Sequence, residues 1–165
     1  MKPRRASRNL VEGVVRVASV LVGLVLAGVL LDNIMSLRSL PTSPWNLTGS
    51  VPVCFGIYLE VYATLSLWNY GGGTPHPKDP PRRLVTQGPY RFSRNPLYLA
   101  RLLILFGLSV VLQSLGVLLV TLLLFLLVVV VILPREERRL ETRFGEAYVE
   151  YRNRVARWIG PNRRP

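Results

Sequence analysis

The sequence predicts an all-α integral membrane protein with four transmembrane helices and a C-terminal interfacial amphipathic helix. Three observations predict it. Half of the 165 residues are hydrophobic, and they are gathered into long stretches. The residues left outside those stretches are too few to bury a soluble core of useful size. Lys and Arg are dense in some of the intervening loops and nearly missing from others.

The elements follow in order. A span needs ~20 apolar residues to cross ~30 Å of hydrocarbon. Residues 14–31 form the first, with Arg16 at its edge. This stretch is long and lacks a small-residue cleavage pattern, so it does not read as a removable signal. Residues 51–67 form the second and weakest, because Glu60 falls inside it. Residues 97–112 and 115–133 form the third and fourth, the fourth being nearly all Leu and Val. The chain reads as one membrane domain over residues 1–165.

Orientation comes from the basic residues. Lys2, Arg4, Arg5 and Arg8 precede the first span, and only Arg38 lies between the first two. Lys78, Arg82, Arg83, Arg91 and Arg94 lie between the second and third. The connection at Gln113 and Ser114 carries no charge, and nine Arg follow the fourth span. Charged and neutral loops alternate, which places both termini in the cytoplasm. The net charge of +12 reads as juxtamembrane charge facing anionic headgroups, not as a nucleic-acid surface.

Other signals exclude chemistry. Cys54 is alone and His76 is the only histidine, so neither a disulfide framework nor a metal cluster is expected. Asn46-Leu47-Thr48 has the form of a glycosylation sequon, a tripeptide common by chance. Gly71-Gly72-Gly73-Thr74 does not continue as a phosphate loop. With Pro75, Pro77, Pro80 and Pro81 it reads as a turn-rich connector.

Two polar segments flank the last pair of spans, and 36 mostly apolar residues separate them. A helical hairpin of that length returns both to one membrane face. In the first segment, Asn95 is a good cap and Pro96 suits a first helical position, so the third helix should start there. Its unsatisfied amides and positive dipole end can hold an anionic group. Tyr98 shares the face of Asn95, and Arg101 follows by three. An intramembrane Arg needs a partner or a wet cavity, and Glu60 is the other membrane charge. Either the two form a structural ion pair or they act at a site.

The second segment, 135–155, reads as an interfacial helix. Leu140, Phe144, Tyr148, Tyr151 and Val155 recur on one face. Glu136 and Glu137 flank that stripe where the helix leaves the membrane. Gly145 within it costs ~1 kcal/mol against Ala, which suggests close approach of a backbone or ligand.

The pattern L-V-x-x-G-P-Y-R-x-x-R-N-P-x-Y, then a hairpin, then E-E-x-x-L-x-x-x-F-G-x-x-Y-x-x-Y resembles the membrane methyltransferases that include isoprenylcysteine carboxyl methyltransferase and phosphatidylethanolamine N-methyltransferase. It covers roughly residues 82–158. The run from Gly71 to Val85 looks like their prokaryotic branch, which would put the protein in the plasma membrane.

The resemblance implies S-adenosylmethionine as cofactor, touched by Arg83, Leu84, Val85, Tyr90, Asn95, Pro96, Tyr98, Glu136 and Glu137. A carboxylate such as Glu136 can take its ammonium, and Tyr90 and Tyr98 can contact the adenine or the sulfonium. Arg94 and Glu60 are the candidate catalytic residues; Arg101 and Arg135 are candidates for the substrate, a membrane lipid or lipidated molecule. Three positions depart from the family pattern. Its Arg-His-Pro is Arg94-Asn95-Pro96 here, which supplies no histidine base. A glycine two residues after the Tyr is Ala100. The arginine expected for a prenylated carboxylate is Ile132, although Arg135, Arg94 or Arg101 could substitute. The rival readings are a nicotinamide-dependent membrane reductase and a non-catalytic four-helix membrane protein.

Overall fold

The structure is a computed structural model that describes residues 3–37, 44–73 and 81–160. Most of the turn-rich connector (74–80, with His76 and Lys78), together with Arg38, lies outside the described residues.

Among the described residues the chain is all helical, with no strand. Helix α1 runs Pro3–Met35. A 3-10 turn at Trp45–Gly49 leads into α2, Ser50–Ser66, which widens to a π turn at Leu67–Gly71. It stops at Gly72, whose φ of 64° takes the left-handed turn that a glycine accepts without strain. Helix α3 is Pro96–Val111 and α4 is Leu115–Leu127. A π turn, Val128–Ile132, joins α4 to α5, Leu133–Phe144, and α6 follows at Glu146–Arg154.

Three helices are long and apolar enough to cross a membrane: Asn9–Met35, Trp45–Gly71 and Leu115–Phe144. Four were expected. The third stretch, Pro96–Val111, has 16 residues, or about 24 Å at 1.5 Å per residue. Pro96 fixes its start. Its end is fixed by Gln113, at φ 56°, and by Ser114, whose side chain accepts from Val117 N to cap α4. The other three run longer than the apolar stretches that identified them, because helix continues into polar flanks.

The described residues form two compact units. One comprises Ala18–Tyr58 and Tyr98–Leu133. In it, small residues let backbones meet. A Cβ added to Gly49 would come within 2.5 Å of the Gly107 carbonyl, and one on Gly56 within 2.8 Å of the Ala100 carbonyl. These pairs run antiparallel, so Ser50–Tyr58 of α2 lies alongside α3. A Cβ on Gly28 would likewise meet Val117 Cα at 2.5 Å. One turn on, Asp32 accepts from Gly116 N at 2.6 Å and from the Ser114 hydroxyl. Here α1 closes the N-terminus of α4. Val22, Leu26 and Leu30 of α1 and Leu122, Leu123 and Leu126 of α4 are exposed, as lipid-facing side chains would be.

The other unit comprises the described residues of Met1–Val17, Leu59–Leu97 and Pro134–Pro165. Ala63, Leu67, Val85 and Tyr90 form one buried cluster, with Leu97 against it. Tyr148, Tyr151 and Val155 form another, with Leu84, Leu140 and Phe144 against it. The expected apolar stripe therefore packs together, but not on one helix. Gly145 has φ 56° and divides the segment into α5 and α6. Nothing lies within 4 Å of a Cβ built there. Its glycine serves a helix break, which corrects the expected close approach. The span and the interfacial segment also join without interruption, since helix runs through Leu115–Phe144.

Candidate functional site

The two polar segments meet within the second of these units. The first begins against the end of α2, where the amides of Arg82 and Arg83 donate to the Gly71 carbonyl at 2.8 and 3.3 Å. Gly88 follows at φ 61°, and a Cβ on it would lie 2.5 Å from Ser66 Oγ. A 3-10 turn, Gly88–Arg91, then delivers Tyr90 into the core. Next come Arg94 and the buried Asn95 and Pro96 that open α3. Ser93 Oγ accepts from the Asn95 amide at 3.1 Å, holding the backbone just ahead of the helix.

Residues 155–160 fold back along this segment as a strap. Arg94 N donates to the Ala156 carbonyl at 3.1 Å, and Gly160 N to the Phe92 carbonyl at 2.9 Å. Asn95 Nδ2 donates to the Arg157 carbonyl at 3.1 Å. The Tyr151 hydroxyl donates to the Tyr90 carbonyl at 2.8 Å. Arg157, Ser93 and the two tyrosine hydroxyls were not identified as site residues from sequence. The tyrosines were visible as part of the apolar stripe. Arg157 was one of nine arginines after the last span, with no spacing to mark it.

The centre of the arrangement is a cluster of Arg94, Glu137, Arg157 and Tyr148. Arg157 grips Glu137 with both arms of its guanidinium, Nε to Oε1 at 3.1 Å and Nη2 to Oε2 at 2.7 Å. Arg94 Nη1 also lies 3.1 Å from Glu137 Oε1, and its side chain is only 8% exposed. Yet that contact is misaligned. Arg94 Nε and Nη1 are both buried without a hydrogen-bond partner. Buried donors left unsatisfied are costly and call for an explanation. An anionic group of a ligand would supply the acceptors.

Electrostatics agree with a tightly packed cluster. Burial pushes the Tyr148 phenol up, the Glu137 carboxylate adds to this, and Arg94 opposes it. Burial likewise raises Tyr151 strongly. The hydrogen bonds it donates to Glu137 hold the Arg157 guanidinium more firmly protonated, against the opposing effect of burial.

The remaining candidates are distributed as follows. Val85 and Tyr90 are buried, Leu84 is half-buried against Tyr148 and Tyr151, and Arg83 is exposed. Arg135 is exposed and Glu136 half-buried on the first turn of α5. Glu60 is half-buried on α2 and belongs to the same unit. Tyr98 and Arg101 belong to the other unit, where the Arg101 guanidinium lies 5.8 Å from the Tyr98 ring centroid. No cluster of three or more His, Cys, Asp or Glu suited to a metal ion occurs among the described residues.

A phospholipid methyltransferase family model matches residues 45–147, more than half of the chain. The match takes in both polar segments and stops before Tyr148, Tyr151 and Arg157. No curated protein and no solved structure matches the chain.

Proposed function

The chain belongs to the phospholipid methyltransferase family, and we propose that it moves a methyl group from S-adenosylmethionine to an amphipathic acceptor within the membrane. The observation that carries this reading is the buried Arg94 guanidinium with two unsatisfied nitrogens, beside the start of α3. S-adenosylmethionine carries a carboxylate that those donors fit. It also carries an ammonium, for which Glu136 is the better carboxylate, because Arg157 already engages both oxygens of Glu137. Leu84, Val85, Tyr90, Asn95 and Pro96 would line the remainder, and Tyr98 is assigned by its spacing from Asn95 alone.

When bound, the cofactor supplies an electrophilic methyl on a sulfonium. Transfer is a displacement at that carbon. The acceptor lone pair forms the new bond as the sulfur–carbon bond breaks. The chain's contribution is to align the partners and to exclude water. An ionised carboxylate acceptor needs no base, but an ammonium lipid must first lose a proton. The family and the presence of Ile132 favour a lipid amine, with Glu60 as the candidate base and Arg101 and Arg135 as candidates for the headgroup's anion. Four crossings, with α3 as the shortest, keep both termini and the cofactor pocket on the cytoplasmic side.

The test is titration of the purified protein with S-adenosylhomocysteine and with NADPH, followed by methylation of a lipid extract with labelled S-adenosylmethionine. Binding of S-adenosylhomocysteine and label in an amine-headgroup lipid is expected, whereas binding of NADPH alone would mark a reductase. Binding of neither would mark a non-catalytic membrane protein. Glu136→Gln should weaken S-adenosylhomocysteine binding by about 1.5–3 kcal/mol, the worth of a charge-assisted hydrogen bond.

A further inference from the structure

Arg94 is a strong anion-binding group only while its own carboxylate neighbour leaves it unsatisfied. Glu137 is close enough to satisfy it, with Oε1 3.1 Å from Arg94 Nη1. What prevents a well-aligned pair is Arg157, whose forked grip holds both Glu137 oxygens. The fork is itself fixed in place. The Arg157 carbonyl accepts from Asn95 Nδ2 at 3.1 Å and from Ser93 Oγ at 3.4 Å. Neighbouring Ala156 accepts from Arg94 N, and its own amide donates to Gly160. The backbone that carries Arg157 is thus tied to the backbone that carries Arg94, with Glu137 between the two guanidiniums.

We propose that Arg157 is a positioning residue: it keeps Glu137 out of hydrogen-bonding alignment with Arg94, so that Nε and Nη1 of Arg94 stay available to an anionic group of the ligand. This rests on the cofactor reading above. It makes Glu137 a counter-charge whose orientation matters, not a ligand contact. Removing the Arg157 side chain releases Glu137 to align on Arg94 as a bidentate partner, the geometry guanidinium and carboxylate prefer. The strap's backbone bonds do not depend on that side chain and should persist.

Two measurements test this. Calorimetry with S-adenosylhomocysteine should show binding weakened about tenfold or more in Arg157→Ala, and by less in Arg157→Lys, a point charge that cannot fork. The double variant Arg157→Ala/Glu137→Ala should bind within about threefold of the parent, because no carboxylate is then left to align on Arg94. A merely structural Arg157 predicts the opposite, a double variant at least as weak as either single one. The second measurement needs no ligand. In arginine-labelled protein, the Arg94 Nε–H resonance, assigned by its loss in Arg94→Lys, should shift in Arg157→Ala and return in the double variant. An unmoved resonance overturns the proposal even if the protein binds the cofactor. Failure of the parent protein to bind S-adenosylhomocysteine overturns the cofactor reading and the ligand half of this proposal, while the resonance still reports whether Arg157 holds Glu137. Hydrogen exchange at residues 92–96 should match the parent in every variant; lost protection would assign Arg157 to folding and overturn the proposal.

Discussion

Asn95 and Arg157 stand 62 positions apart, and the Asn95 side-chain amide donates to the Arg157 carbonyl at 3.1 Å. That bond joins the residue just ahead of α3 to the strap. It also gives a structural use to the residue that stands at the histidine position of the motif the sequence resembles. Asn95 is buried, and an amide so engaged is a tie, not a base.

Arg94→Gln should weaken S-adenosylhomocysteine binding by about 1.5–3 kcal/mol, roughly 10- to 150-fold. The variant should fold, because Arg157 still neutralises Glu137. Calorimetry on a variant with parental thermal stability is the check, and unchanged affinity removes Arg94 from the ligand site.

Stability should fall at alkaline pH through Tyr151. Its hydroxyl donates to the Tyr90 carbonyl, and burial raises its pKa, with Arg94 opposing and Tyr148 adding. Tyr148 shifts the same way through burial and Glu137, with Arg94 and Arg152 opposing. In the unfolded chain both phenols ionise near pH ~10, and in the fold they ionise later. The stabilisation is therefore complete below pH ~10 and is lost as pH rises above it. Thermal unfolding should be level to about pH 9 and decline above 10. Tyr151→Phe should flatten that decline while costing about 1 kcal/mol at neutral pH.

Glycine substitutions should separate packing from propensity. A Cβ on Gly116 meets the Gly28 carbonyl oxygen in hard overlap and Asp32 Oδ1 at 2.9 Å, whereas one on Gly23 meets nothing. Gly116→Ala should cost about 1–3 kcal/mol through forced separation. Gly23→Ala should be neutral or stabilising by up to ~1 kcal/mol. Unfolding of both in detergent gives the comparison, and equal effects would argue against backbone contact at Gly116.

The topology predicts opposite labelling at Ser36 and Gln87, both exposed. With Cys54 replaced, single cysteines at the two positions should react with an impermeant reagent from opposite faces of sealed vesicles. Reaction of both from one face would remove Trp45–Gly71 as a crossing.

Glu60→Gln should abolish methyl transfer to an amine lipid and leave S-adenosylhomocysteine affinity within about threefold, if Glu60 acts as the base. If it serves Arg101 instead, stability should drop and recover partly when Arg101 is also removed. Full activity in a stable variant would point to an acceptor that needs no base.

The sequence made the helices legible because apolar runs and basic flanks are local signals. The start of α3 was legible for the same reason, since Asn95-Pro96 carries its own capping chemistry. Gly145 was misread because a glycine in an apolar stripe looks alike whether it admits a neighbour or breaks the helix; only its positive φ decides. The bounds of α3 were read to within one residue at each end, and its length of 16 residues was the same in both; what was misread was that so short a helix meets the length of a span. Arg157 was not legible at all. Its importance comes from hydrogen bonds to residues more than 60 positions away, and no periodicity encodes such a pairing.

Asp32 supplies an acceptor to a turn it does not belong to. The amides that open α4 sit at a turn between two apolar helices, and the side chain that receives Gly116 N belongs to α1. Water can serve that amide while the turn is at the surface, but not once lipid or protein surrounds it. The tip of the α3–α4 hairpin has its final pairing only with the end of α1 beside it. The turn between α3 and α4 is thus completed by a carboxylate more than 80 positions away, on α1.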